Sequence, residues 1–72
     1  MERAQAEAIV EALSREGYDA SLYEGYSGRG MFGKESTGVN LLDFTHTLRA
    51  VALCPSLAEC RRDSLGHGVI FY

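Results

Sequence analysis

Tyr18-Asp19-Ala20-Ser21-Leu22-Tyr23-Glu24 and Ser36-Thr37-Gly38-Val39-Asn40-Leu41 flank a segment, Gly25 to Lys34, that holds four glycines in ten residues. Both flanks alternate with a period of two. Ala20 and Leu22 fall on one side of the first, opposite Asp19, Ser21 and Tyr23, while Thr37, Val39 and Leu41 share a side of the second. That spacing predicts two strands, 18–24 and 36–41. The segment between them cannot form a regular element without a large entropic cost, so it reads as a loop.

Working outward, Ala6, Ile9, Val10 and Leu13 recur at helical spacing, with Glu7, Glu11 and Arg15 on the other side. They predict an amphipathic helix over 2–16, with Glu11 and Arg15 paired one turn apart and Gly17 as its C-terminal stop. After the second strand, Asn40 or Asp43 can cap a helix running to Leu53, with Phe44, Leu48 and Val51 as its apolar stripe. Pro55 ends it. A short helix follows, with Ser56 and Glu59 at capping-box spacing and Leu57 as its apolar contact. Gly66 and Gly68 bracket a turn into Val69-Ile70-Phe71-Tyr72. Four consecutive apolar residues fit a central strand covered on both faces, or an end that pairs with another chain. The predicted fold is α/β (α+β), a single small domain over 1–72. Its order is α-β-β-α-(α)-β, giving a three-stranded sheet with two or three helices.

Composition narrows the functional classes. The chain has 72 residues, 46% of them apolar and 24% charged, with a net charge of −3. It is too apolar to be disordered, and it has neither a membrane-length apolar stretch nor a visible secretory leader. It lacks the basic surplus of a nucleic-acid binder. Charge is unevenly spread: net −4 over 1–24, +2 over 25–34 and −1 over 35–72. Cys54 and Cys60 are too few for a disulfide scaffold or a zinc site, and without an export signal they are expected as free thiols in reducing cytoplasm.

The glycine loop nearly matches two phosphate-binding patterns. Gly28, Gly30 and Gly33 spell G-x-G-x-x-G, and Gly28 to Lys34 spells G-x-x-x-x-G-K. Both need a helix to follow, and the second needs a magnesium-binding hydroxyl where this chain has Glu35, a carboxylate that repels phosphate. Nucleotide binding is therefore not expected. Ser27 or Ser64 with His46 or His67 and Asp43 or Asp63 can be written as a triad, but no nucleophile-elbow spacing supports it. No enzyme activity and no cofactor are expected. Two readings of the loop stay open. It can fold Tyr26, Met31 and Phe32 back onto the sheet, or it can present Tyr26 and Phe32 as aromatic anchors beside the cations Arg29 and Lys34, as recognition loops do.

Tyr26-Ser27-Gly28-Arg29-Gly30-Met31-Phe32-Gly33-Lys34, then Thr37-Gly38-Val39, and the closing Asp63-Ser64-Leu65-Gly66-His67-Gly68-Val69-Ile70-Phe71-Tyr72 resemble a group of small phage and mobile-element proteins. Those proteins share a Y-S-G-R-G-M-aromatic-G-K segment and a D-S-hydrophobic-G-x-G-x-I-x-Y run. The whole chain resembles type I anti-CRISPR proteins, those acting on type I-C effectors among them. The resemblance implies a monomer in the cytoplasm of a host bacterial cell that binds a subunit of the Cascade effector stoichiometrically and blocks target DNA binding. It implies no membrane and no direct nucleic-acid contact. A channel lined with lysine and arginine to hold DNA would attract an acidic patch. Glu24 and Glu35, at the two ends of the loop, with Asp19 and Asp43 close by in this layout, are the candidates for that patch. The alternative is a phage regulatory or structural accessory protein that self-associates through its carboxyl-terminal strand.

Overall fold

The computed structural model describes residues 1–27 and 34–72, with the backbone alone at Tyr26, Ser27, Lys34 and Glu35. Helix α1 (Arg3–Arg15) leads into strand β1 (Ala20–Ser27), which pairs antiparallel with β2 (Lys34–Leu41). A 3-10 turn over Phe44–His46 opens α2 (Thr47–Leu53), and a second 3-10 helix covers Pro55–Glu59. Strands β3 (Arg62–Leu65) and β4 (Gly68–Phe71) close the chain. The domain is α+β, with two α-helices and an antiparallel four-stranded sheet in the order β1-β2-β4-β3.

The core lies between the helices and one face of this sheet. Ala6, Ile9 and Leu13 of α1, Val39 and Leu41 of β2, Val69 and Phe71 of β4, Ala50 of α2 and Leu57 form one buried cluster. The register explains which strand residues join it. Ala20 faces Leu41, Leu22 faces Val39, Val39 faces Phe71 and Leu41 faces Val69, so these side chains share the helix side. Helix α1 ends as expected at Gly17, which has φ +87°. The Gly17 N–H donates to the Ser14 carbonyl at 3.1 Å and the Tyr18 N–H to the Leu13 carbonyl at 3.0 Å, a Schellman cap. Arg15 pairs with Glu11.

Three expectations need correction. The sheet has four strands, not three, because Arg62–Leu65 forms β3. This strand is exposed along its whole length and has no apolar alternation to announce it. It exists because a two-residue turn, Gly66-His67, with Gly66 at φ +59°, folds it back onto β4. The α2 stripe is also different. Phe44 is 58% exposed and Leu48 82%, while Ala50 is fully buried and Val51 partly so. The first turn is 3-10, and the Phe44 N–H donates to the His67 carbonyl at 2.7 Å. That tighter, tethered start rotates the following helix, so Ala50 meets the core in place of Leu48. Finally, Ser56 and Glu59 form no capping box; Pro55 occupies the first turn of the 3-10 helix, and the Ser56 carbonyl accepts from Cys60 Sγ at 3.5 Å.

Strand β4 is paired on both sides, by β2 and by β3. It is the central strand that its sequence allowed, with neither edge left unpaired at Val69–Phe71. Cys54 and Cys60, at the two ends of the Pro55–Glu59 helix, are free thiols, and burial pushes the Cys54 thiol up. No helix among the described residues is long and apolar enough to cross a membrane.

Candidate functional site

The longest ladder in the molecule is β1 with β2, which runs unbroken from Ala20↔Leu41 to Ser27↔Lys34. Strand β4 accompanies β2 only at Val39, Asn40 and Leu41. Helix α1 is tied to the ladder two rows beyond Val39. The Met1 ammonium donates to the Thr37 carbonyl at 3.0 Å, and Arg3 Nη1 lies 2.9 Å from Glu24 Oε1, Glu24 and Thr37 being register partners. Past that row come Gly25↔Ser36, Tyr26↔Glu35 and Ser27↔Lys34. At about 3.3 Å per residue, this two-stranded arm continues the ladder for roughly 10 Å. The domain is correspondingly elongated, 38 × 25 × 18 Å.

The eight candidate residues divide along this ladder. Tyr26 and Lys34, expected in the loop, are strand residues of the arm, and so is Glu35, expected at the loop's end. The pairing rewards main-chain extension even where glycine and charge make the local sequence read as a turn. Arg29 and Phe32 belong to the segment 28–33 that joins the two strands, outside the described residues. Glu24 sits at the arm's base, held by Arg3, which also meets Glu7 Oε1 through Nε at 3.1 Å. Asp19 and Asp43 lie at the other end of β1, where the Asp19 carbonyl accepts the Leu42 N–H at 3.0 Å. The four acids therefore do not meet in one patch: Asp19 and Glu24 are five strand residues apart, roughly 16 Å.

Asp43 has a structural task. Its Oδ1 accepts from the Thr45 N–H at 3.0 Å and from Thr45 Oγ1 at 2.7 Å, and Oδ2 lies 3.9 Å from His46 Nε2. The Thr45 bonds hold the Asp43 carboxyl below the usual carboxylate range. Because the folded pKa is depressed, this stability is present above the unfolded carboxylate value, ~4. It is lost as pH falls through the lower folded value. Asp43→Asn, compared with the parent in urea melts from neutral pH down to pH ~3, is expected to flatten the acid loss of stability. Identical acid limbs would show that the cap carries none of it.

Two features were missed in the sequence. Arg3, one of only two cations among the first 24 residues, is the ligand of Glu24. On the sheet face opposite the helices, Tyr23 and Tyr72 stand 6.4 Å apart, centroid to centroid. Tyr72 Oη donates to Asp63 Oδ2 at 3.0 Å, which raises the Tyr72 pKa. The signal was present: Tyr23 alternates away from Leu22, and Tyr72 follows Ile70 by two. Among the described residues no cluster of His, Cys, Asp and Glu suits a metal ion. Compared with known proteins, the chain matches no family, no curated protein and no solved structure.

Proposed function

We propose that this chain is a stoichiometric inhibitor, an anti-CRISPR protein that docks on a subunit of a type I Cascade complex and blocks target DNA binding. The observation that supports this reading is the arm. The β1–β2 ladder outruns the pairing of β2 with β4, and Tyr26, Ser27 and Lys34, which belong to one of the segments that carry the resemblance, are paired in the part that outruns it. In this reading Tyr26, Arg29, Phe32 and Lys34 are the anchors, since aromatic and arginine side chains are the residues that anchor protein interfaces.

The acidic residues take a second role in this reading. Residues 1–24 carry net −4 and 35–72 net −1, against +2 over 25–34. The body is steered toward a lysine- and arginine-lined surface, with Glu24, Glu35, Asp19 and Asp43 as distributed contributors, while the arm fixes register.

Titrating the purified chain into Cascade bound to labelled target DNA tests the reading. Loss of the DNA complex is expected at about one inhibitor per binding site, with no turnover and no cofactor. Undiminished DNA binding in excess chain would refute it.

A further inference from the structure

The two edges of the sheet are unlike. Strand β3, at one edge, has four residues, two of them Arg62 and Asp63. Short length and charge are the usual guards against edge-to-edge pairing. Strand β1, at the other edge, has eight residues, Ala20-Ser21-Leu22-Tyr23-Glu24-Gly25-Tyr26-Ser27, with no proline, lysine or arginine. Its pairing with β2 advances one residue for one throughout, so no bulge twists the edge away. Its single charge, Glu24, is compensated by Arg3. One edge is defended and the other is left as a template for a further strand.

We infer that β1 is a homodimer seam: two copies of this chain pair their β1 strands antiparallel about a two-fold axis at Tyr23. A second β1 is the occupant because the strand is self-complementary along this edge, and charge selects the register. The net −3 body opposes association of two copies generally, but the β1 edge is locally neutral and brings no uncompensated like charges together. A two-fold axis normal to the sheet keeps the helices of both copies on one side, so helix-side residues must face helix-side residues. Near the middle of β1 this leaves two central positions, Tyr23 or Glu24. Centring on Glu24 sets the two Glu24–Arg3 pairs directly opposite, like charge against like, which is destabilising. Centring on Tyr23 sets Glu24 opposite the partner's Leu22 and Ser21 opposite the partner's Gly25. It also brings the Tyr23 of each copy together, continuing the Tyr23–Tyr72 pair into a band of four tyrosines across one eight-stranded sheet.

This seam replaces the monomer expected from the sequence, and it is independent of the arm's docking role. Antiparallel pairing points the two arms in opposite directions, so losing the dimer and losing Cascade binding are separable failures. A strand-to-strand seam is smaller than a standard interface of about 800 Å² per partner, so a weak dimer is expected, formed in the micromolar range or above.

Sedimentation velocity and light scattering from low-micromolar to near-millimolar chain are the test. A concentration-dependent dimer is expected, strengthened by salt because the bodies repel. Tyr23→Lys, on the face away from the core, is expected to leave a monomer at every concentration. Tyr23→Cys is expected to cross-link two chains rapidly under mild oxidation, above the background of the parent's Cys54 and Cys60, and Ser64→Cys on the opposite edge is not. The cross-link also decides the matter should Tyr23→Lys fail to fold. A parent chain monomeric throughout, a dimer that survives Tyr23→Lys, or cross-linking at Ser64→Cys in place of Tyr23→Cys would each overturn the seam.

Discussion

Gly38→Ala is expected to cost the domain most of its folding free energy. A Cβ at this position would overlap the Phe71 carbonyl oxygen and lie 2.9 Å from its carbonyl carbon and 3.1 Å from Tyr72 Cα. Those atoms are backbone of the neighbouring strand and cannot rotate aside. To make room, β2 must move from β4 where Val39 faces Phe71, the centre of the core. Overpacking typically costs ~1–3 kcal/mol and more where nothing yields, against the ~3–5 kcal/mol that a core of this size supplies. Gly25→Ala is the control. There the added Cβ would meet only the far end of the Tyr23 side chain, with ring atoms at 2.8 and 3.2 Å, which can shift where backbone cannot. Urea melts by circular dichroism are expected to show Gly38→Ala largely unfolded and Gly25→Ala near the parent. Equal midpoints for the two variants would mean that the close approach of β2 and β4 is not what holds the sheet together.

The second large effect is functional. Replacing Tyr26–Glu35 by a two-residue turn between Gly25 and Ser36 removes the arm's end and leaves every residue of the buried cluster in place. Asn-Gly suits the junction, since two-residue hairpins need positive φ. Fold stability is expected to stay close to the parent, because the removed pairs extend past both β4 and the start of α1. Cascade binding is expected to fall at least 100-fold, the scale of losing two interface anchors at ~2 kcal/mol or more apiece. The Arg29→Glu and Phe32→Ala variants divide the loss between charge and aromatic contact. A folded, armless chain that still inhibits at full affinity would move the docking surface elsewhere.

What could be read from the residues follows physical lines. Helix α1 was legible because Ala6, Ile9 and Leu13 repeat at its period and Gly17 closes it. The inner halves of β1 and β2 were legible for the same kind of reason, Leu22 and Val39 alternating with polar neighbours. Their outer halves were not. Gly25, Tyr26, Lys34 and Glu35 are strand because the partner strand is there to pair with, and no local preference encodes that. Strand β3 failed likewise: Arg62-Asp63-Ser64-Leu65 buries nothing and takes its conformation from β4. In α2 the period was right and the phase wrong, since the bond from the Phe44 N–H to the His67 carbonyl links residues far apart in sequence. Of the candidate site, the aromatic and cationic residues among glycines can be read in the sequence, whereas the Arg3–Glu24 pair depends on how α1 crosses the sheet, and the separation of Asp19 from Glu24 on β1 being extended between them.

Hydrogen exchange on the inhibitor, free and saturated with Cascade, tests the docking claim most directly. Slowed exchange is expected at the amides of Gly25–Ser27 and Lys34–Ser36 and in the residues that join them, with α1 and α2 unchanged. Protection falling on the helices, with the arm exchanging as in the free chain, would contradict it.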